Sequence, residues 1–121
     1  MIDEAYFEYC RNNPDYPDSQ RVLAAQSRPW IVLRTFSKAY GLAGLRVGYG
    51  IGNPAVIDLL NRVRQPFNVC SVGLSAAAAA LFDDDFLQRS FEANAAGMRQ
   101  LTEGFQRLGL DRSEERRVGK E

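Results

Sequence analysis

Residues 30–36 (WIVLRTF) are rich in β-branched and aromatic side chains and predict a β-strand. A segment punctuated by glycines follows at 37–44, which predicts a structured loop rather than a helix. Residues 47–51 (VGYGI) predict a second strand, and their glycines indicate close approach of another part of the backbone. The centre of the chain is therefore expected to contribute strands to a sheet.

Helical segments are predicted on both sides of these strands. Asp18 or Ser19 can cap a short helix that continues to about Gln26 and ends before Pro29. Further helices are predicted from Asn53 to Pro66, from Ser71 to about Phe82, and from the acidic residues 83–85 to a cap at Gly109. The last of these has an apolar stripe at helical spacing, which we interpret as packing against the core or a partner. The stripe consists of Phe86, Phe91, Ala95, Met98, Leu101, Phe105 and Leu108.

The order of strands and helices predicts an α/β domain in which helices cover a mostly parallel sheet. Residues 5–9 (AYFEY) have extended character, and the segment 12–18, rich in Asn, Pro and Asp, predicts a loop. Ligands bind to such folds at the loops that leave the carboxyl ends of the strands. Asp3 with Tyr6, and Ser37 with Lys38, occupy two such ends.

Composition removes several classes of function. The 15 basic and 15 acidic residues balance, so we expect no nucleic-acid partner and no membrane-surface partner. The absence of histidine removes Ser-His and Cys-His nucleophilic sites, and we expect no metal site. The two cysteines, Cys10 and Cys70, form no CxxC pair and are expected to be reduced, consistent with a cytoplasmic protein.

Both ends of the chain have unusual sequences. Residues 112–121 (RSEERRVGKE) resemble, residue for residue, the in-frame translation of a sequencing adapter, so we expect them to be non-native. Met1 and Ile2 precede Asp3 where a buried parallel strand normally supplies about five apolar residues. We therefore expect residues 1–111 to be an internal piece of a larger protein, truncated at both ends.

Lys38 is one of only two lysines and lies among hydroxyl groups and glycines after an apolar strand. The run RTFSKAYGLAGLRVGY at 34–49 resembles the lysine segment of fold type I pyridoxal-phosphate enzymes, specifically the class I/II aminotransferases. Residues 3–6 (DEAY) match a second motif of that family in the expected order. Residues 63–69 (VRQPFNV) are most similar to histidinol-phosphate aminotransferases, whereas residues 70–72 (CSV) depart from the sequence expected there.

The resemblance implies a part of the large, cofactor-binding domain with the start of the connection to the small domain. It implies that pyridoxal 5'-phosphate is the cofactor and that Lys38 carries it and acts as the catalytic base. Asp3 would face the ring nitrogen, Tyr6 would donate to the ring's phenolic oxygen, and Ser37 and Arg46 would hold the phosphate. Thr35 is a candidate for a further hydroxyl contact.

The resemblance further implies transamination between histidinol phosphate and 2-oxoglutarate in histidine biosynthesis, by a homodimer whose partners are an amino donor and a 2-oxo acid acceptor. A threonine-phosphate decarboxylase or a broad-specificity aminotransferase is an open alternative, because the residues that choose the substrate would lie outside this chain. The remaining alternative is a non-catalytic fragment or a helix-rich interaction module. We expect the isolated chain to bind cofactor weakly and not to transaminate.

Overall fold

The computed structural model describes residues 1–10 and 13–110, in which a three-stranded sheet is flanked by helices. The strands are β1 (Ile2–Asp3), β2 (Ile31–Thr35) and β3 (Gly48–Gly52), and β2 lies in the middle. The helices are α1 (Phe7–Cys10), α2 (Ser19–Ala24), α3 (Pro54–Val63), α4 (Ser71–Ala80) and α5 (Asp84–Arg107), with a 3-10 turn at Ala43–Leu45. The α/β fold class is confirmed. The predicted adapter-derived residues 112–121 lie outside the described residues.

The described part of the sheet is mixed rather than mostly parallel. Strand β1 runs parallel to β2, with Ile2 opposite Val32 and Asp3 opposite Leu33. Strand β3 runs antiparallel to β2, with Ile31 opposite Gly52. The physical reason is the connection: parallel neighbours need a crossover, usually a helix, whereas β2 and β3 are joined by a loop whose only helical part is one 3-10 turn.

Residues 5–6 form a turn and residues 7–9 belong to helix α1, so the prediction of extended structure at 5–9 was wrong. The backbone N–H of Phe7 donates to the carbonyl of Glu4 at 3.0 Å, which turns the chain out of β1 directly into α1. A second correction concerns the cap of α4, which is Cys70 rather than Ser71. Its sulfur accepts a hydrogen bond from the backbone N–H of Gly73 at 3.3 Å.

Specific caps confirm other predicted helix ends, whereas Asn53 precedes α3 without a capping hydrogen bond from its side chain. Asp18 accepts a hydrogen bond from the backbone of Arg21 at the start of α2, and Asp83 accepts one from the backbone of Phe86 at the start of α5. Pro54 occupies the first turn of α3, where its missing N–H has no consequence. Gly109 follows α5 with φ of +69°, the left-handed conformation that glycine adopts without strain.

A small apolar core lies beneath the loop between β2 and β3. Phe36, Val47 and Ala77 are buried together, and Tyr40 and Tyr49 pack against them. The Phe36 ring centre is 4.9 Å from that of Tyr40 and 5.6 Å from that of Tyr49. The loop is also closed by its backbone, because the N–H of Phe36 donates to the carbonyl of Val47 at 3.1 Å. This core therefore fixes the loop that carries Ser37, Lys38 and Arg46.

The apolar stripe of α5 contacts little of this core. Leu87 is the one buried residue of the helix, whereas Leu101 and Leu108 are more than half exposed. Core packing is therefore not the role of the stripe within the described residues. Across that same part of the chain, none of the helices combines the length and apolar character needed to cross a bilayer. Both cysteines are free, as predicted.

Candidate active site

A cavity of about 320 Å³ lies where strands β1 and β2 end. Its lining consists of Asp3, Ala5, Leu33, Arg34, Thr35, Ser37, Lys38 and Arg46. Four of the five predicted site residues are in that set, although they come from the two ends of a 44-residue stretch of sequence. They meet because β1 and β2 are parallel, so that their carboxyl ends reach the same edge of the sheet.

Asp3 is the last residue of β1, and its side chain is exposed at this edge. Its Oδ1 accepts a hydrogen bond from the backbone N–H of Ala5 at 3.0 Å. This bond across two residues is an Asx-type turn, which aspartate favours because its short side chain reaches its own backbone. The turn ends the strand, and Asp3 is among the residues that line the cavity.

Tyr6 does not line the cavity, but it lies beside Lys38. The Nζ of Lys38 is 5.3 Å from the centre of the Tyr6 ring, within the range of a cation–π contact. The Lys38 side chain is exposed, whereas its backbone is held by a turn in which the N–H of Gly41 donates to the Lys38 carbonyl at 3.0 Å. Gly41 has φ of +69°, a conformation that this turn requires and that glycine supplies. The predicted proximity of Lys38 and Tyr6 is therefore present.

Thr35 lines the cavity, and its hydroxyl also holds the loop. Its Oγ1 accepts a hydrogen bond from the backbone N–H of Ser37 at 3.1 Å and donates to the carbonyl of Val47 at 3.4 Å. These bonds orient Ser37. The further hydroxyl contact from Thr35 to a ligand stays a prediction.

Arg46 lies at the far side of the cavity in a left-handed backbone conformation, with φ of 55° and ψ of 42°. This conformation costs a non-glycine residue about 1 kcal/mol or more. It directs the chain from the 3-10 turn into β3, and Nη1 of Arg46 donates to the carbonyl of Ala43 at 3.0 Å. Strained backbone of this kind is found disproportionately at functional sites.

Sequence reasoning missed a buried ion pair behind the cavity. The Glu4 carboxylate is fully buried, and its Oε2 accepts hydrogen bonds from Nη2 of Arg34 at 2.9 Å and from Nε at 3.0 Å. Burial alone lowers the pKa of the Arg34 guanidinium, but hydrogen bonds to Glu4 and Tyr49 and the charge of Glu4 outweigh it, so the pKa is raised. The available signal in the sequence was the alternation of side chains along a strand. If Asp3 faces the cavity, Glu4 faces the other side of the sheet and needs a cation nearby.

Tyr16 also binds the Glu4 carboxylate of this ion pair. Its hydroxyl donates to Oε1 of Glu4 at 3.3 Å. Burial and, after it, the charge of Glu4 and the hydrogen bond to Glu4 raise the pKa of the Tyr16 phenol above its usual value of 10.0. Phe7 covers the other side of Arg34, with the ring centre 3.4 Å from Cζ of the guanidinium. The buried charges are thus supplied with partners on several sides.

The sequence model of the family described as aminotransferase class I and II matches residues 1–115. The chain belongs to this family. Among its curated relatives, histidinol-phosphate aminotransferase 2 from Methylococcus capsulatus is 57% identical over 111 residues, which cover 92% of this chain and 29% of that protein. The protein of the same name from Pseudomonas fluorescens strain Pf-5 is 58% identical over 110 residues, again 29% of its length.

Solved structures agree with this membership of the aminotransferase family. A protein from Erwinia carotovora atroseptica, described as a histidinol-phosphate aminotransferase, superposes with a TM-score of 0.82 at 32% sequence identity. The match covers 91% of this chain and 32% of the Erwinia chain. The histidinol-phosphate aminotransferase from Sinorhizobium meliloti, solved with pyridoxal-5'-phosphate, gives a TM-score of 0.69 at 34% identity over 84% of this chain and 27% of its own. The chain therefore spans less than a third of the relatives that it matches.

Proposed function

We propose that this aminotransferase chain forms the cofactor-binding part of a longer, pyridoxal-phosphate-dependent histidinol-phosphate aminotransferase. The observation that carries the proposal is the single cavity lined by Asp3, Ser37, Lys38 and Arg46. In this account residues 1–111 are a partial large domain with the start of the connection to the small domain. Residues 112–121 would be adapter-derived.

The composition of the cavity fits pyridoxal phosphate. A volume of about 320 Å³ is at the lower end of the range for small-molecule sites. Arg46 supplies a cation for the phosphate, the hydroxyl of Ser37 supplies a neutral donor beside it, and Lys38 supplies the amine that would bond to the aldehyde. Asp3 supplies the one carboxylate of the cavity lining, opposite in charge to a protonated ring nitrogen. The phosphate, the aldehyde and the ring nitrogen of the cofactor thus each have a matching side chain in the cavity.

Lys38 is proposed as the catalytic residue. When bound, pyridoxal phosphate accepts the electrons released as a C–H bond of the substrate amine breaks. Lys38 would hold the cofactor through Nζ, would take the proton from the amine-bearing carbon of the substrate and would return one to the cofactor carbon. The Lys38 side chain is exposed, and a turn fixes the Lys38 backbone. This arrangement suits the role, since the amine must move between two positions while the backbone of Lys38 stays in place.

Asp3 and Tyr6 are proposed to bind the ring. The Asp3 carboxylate would keep a proton on the ring nitrogen, which strengthens the ring's attraction for electrons. The Tyr6 hydroxyl would donate to the phenolic oxygen of the ring. The contact between the Tyr6 ring and Nζ of Lys38 supports this arrangement, because both groups must approach the same face of the site.

Ser37 and Arg46 are proposed to bind the phosphate. The guanidinium of Arg46 offers parallel N–H groups that match two phosphate oxygens, and the Ser37 hydroxyl adds a donor beside them. Thr35 supports the pair by holding the Ser37 backbone. Arg46 lies between Leu45 and Val47, which both pack in the core. Its left-handed backbone suits the proposed role, since it lets the Arg46 side chain reach the cavity.

The proposed reaction transfers an amino group between histidinol phosphate and 2-oxoglutarate, and it rests on the activity for which the relatives with 57% and 58% identity are named. The amino donor and the 2-oxo acid acceptor are the proposed partners. A cytoplasmic location follows from the proposed biosynthetic role, and a homodimer from the resemblance to fold type I enzymes.

The test begins with the full-length product of the gene that contains this chain, purified with pyridoxal phosphate. We expect 2-oxoglutarate-dependent conversion of histidinol phosphate, with a kcat/KM far above those for histidinol and for threonine phosphate. Release of carbon dioxide from threonine phosphate without turnover of histidinol phosphate would instead identify a threonine-phosphate decarboxylase. A gene with stop codons directly flanking the chain would contradict the proposal of a longer protein.

A further inference from the structure

Asp3 has few contacts of its own to hold it at the cavity. Strand β1 has two residues, pairs with β2 alone within the described sheet, and ends at Asp3. The Asp3 side chain is exposed, and its recorded hydrogen bond is to Ala5, which belongs to the same turn. A hydrogen bond within one turn does not fix the carboxylate relative to a residue on another strand. Something else must keep the Asp3 carboxylate at a fixed distance from Lys38.

The next residue supplies that anchor. Glu4 is buried with its side chain 0% exposed, and Arg34, to which it is bound, is 11% exposed. Arg34 follows Leu33, the residue opposite Asp3 in the sheet. The backbone N–H of Glu4 also donates to the Leu33 carbonyl at 2.8 Å. The strand end is therefore tied to β2 through both the backbone and a charged side chain.

Arg34 connects this anchor to the site. Arg34 is among the residues that line the cavity with Asp3, and the chain continues from it through Thr35 to Ser37 and Lys38. The Glu4–Arg34 pair consequently joins the segment that carries Asp3 to the segment that carries Lys38. The Glu4–Arg34 pair is itself held in one orientation, because Phe7 packs on the Arg34 guanidinium and Tyr16 donates a hydrogen bond to Glu4.

We propose that Glu4 and Arg34 are positioning residues, whose buried ion pair fixes the position of the Asp3 carboxylate relative to Lys38. The inference rests on the proposed function. Removing two charges from water is unfavourable, and a buried ion pair often adds no net stability over a well-packed apolar pair. Stability alone therefore gives no reason for this pair, whereas a fixed geometry at the adjacent carboxylate does. Any further chain packed on this face would increase the burial of the pair.

The first part of the test is a double variant of the full-length protein, Glu4→Leu with Arg34→Met, which replaces the ion pair by apolar side chains. Glu4→Gln removes the charge with little change in shape, and Arg34→Lys retains the charge without the planar fork. The matched control is Asp58→Asn, which breaks an ion pair with Arg62 that is 2.7 Å long but 60% to 70% exposed. All variants are compared by thermal unfolding without cofactor.

The decisive readout is the ¹⁵N chemical shift of pyridoxal phosphate labelled at the ring nitrogen, because it reports protonation of the atom that Asp3 would face. We expect the double variant to unfold at a temperature near that of the wild type, to lose the protonated-nitrogen signal and to bind pyridoxal phosphate about tenfold more weakly, the lower range for loss of a supporting contact. Glu4→Gln should show the same spectral change, and Asp58→Asn should show none.

A double variant with unchanged ¹⁵N shift and unchanged affinity would overturn the inference and leave the pair as a contribution to stability only. If the double variant does not fold, Glu4→Gln decides in the same way: a folded protein with wild-type ¹⁵N shift overturns the inference, and a lost signal supports it. Failure of the proposed function is distinguishable, because then the wild-type protein would give no ¹⁵N signal of bound cofactor.

Discussion

The Nζ of Lys38 lies 5.3 Å from the centre of the Tyr6 ring, although Tyr6 follows strand β1 and Lys38 follows strand β2. One structural feature produces this proximity, namely the parallel pairing that sets Asp3 opposite Leu33. A slip of one residue would turn Asp3 to the other face of the sheet and bring Glu4 to the cavity. The candidate site thus depends on the register between β1 and β2.

Asp3→Asn is expected to lower kcat by about a hundredfold or more, the range for loss of one group that stabilises developing charge. The amide keeps the shape and can still accept the hydrogen bond from Ala5, so unfolding temperature should be unchanged. Steady-state kinetics measures the effect. Cofactor methylated at the ring nitrogen carries a permanent charge and should restore part of the rate. Full activity of Asp3→Asn with ordinary cofactor would contradict the role of the carboxylate.

Arg46→Asn is expected to separate stability from binding. Asparagine tolerates the left-handed conformation, so the unfolding free energy without cofactor should rise by up to about 1 kcal/mol. The affinity for pyridoxal phosphate should fall about 10- to 100-fold, since charged hydrogen bonds to the phosphate are lost. Urea denaturation and a cofactor titration followed by absorbance measure the two effects.

Arg46→Lys is the matched variant for this comparison, because it keeps both the positive charge and the backbone strain. We expect its stability to equal that of the wild type and its affinity to lie between those of the wild type and Arg46→Asn. Unaltered cofactor affinity in Arg46→Asn would show that Arg46 does not bind the phosphate.

Gly73→Ala is expected to disturb the cavity indirectly, through the residues that flank Arg46. An added Cβ would lie 2.9 Å from Cγ2 of Val47 and 3.3 Å from the carbonyl oxygen of Leu45, the two residues that flank Arg46. Overpacking of this kind costs about 1 to 3 kcal/mol, which exceeds the gain of about 1 kcal/mol from replacing a helical glycine. Both the unfolding temperature and the affinity for pyridoxal phosphate should therefore fall.

Gly97→Ala is the control, because nothing among the described residues lies within 4 Å of a Cβ built there. It makes the same change in helix α5 and should leave the cofactor affinity as it is. Equal cofactor affinity in Gly73→Ala and wild type would mean that α4 does not determine the position of Arg46.

Tyr16 is expected to make stability decrease at high pH. Its pKa is raised in the folded state above the usual 10.0, chiefly by burial and then by the charge of Glu4. The unfolded chain therefore loses the phenolic proton first, so the contribution is complete below pH 10 and declines as the pH rises through the folded-state pKa. Urea denaturation between neutral pH and pH 11 should show a decline that is shallower in Tyr16→Phe. Parallel declines in the two proteins would contradict the raised pKa.

Local signals in the sequence predicted several elements correctly. The apolar run at 30–36 became β2, Asp18 caps α2, and Gly109 ends α5, because each depends on neighbours along the chain. The aromatic run at 5–9 was misjudged because strand propensity of single residues is weak against the turn that Asp3 begins. The antiparallel direction of β3 was also missed, although the loop predicted between β2 and β3 holds no crossover helix of the kind that parallel neighbours need.

The site was predictable only in part for a similar reason. The resemblance of residues 3–6 and 34–49 to a known family named the side chains that line the cavity. Thr35, Glu4 and Arg34 act through contacts with other residues, and sequence spacing alone does not show which groups are buried against each other. Their roles required the structure.

The most direct test of the account is to add pyridoxal phosphate to the full-length protein, reduce it with sodium borohydride and map the modified peptide by mass spectrometry. Reduction makes a covalent bond between cofactor and amine permanent, so the modified lysine identifies the residue that carries it. We predict modification at Lys38 alone, and none at that position in Lys38→Ala, whose turnover should fall by at least about a hundredfold. Cofactor fixed to another lysine, or to none, would contradict the assignment of the cavity.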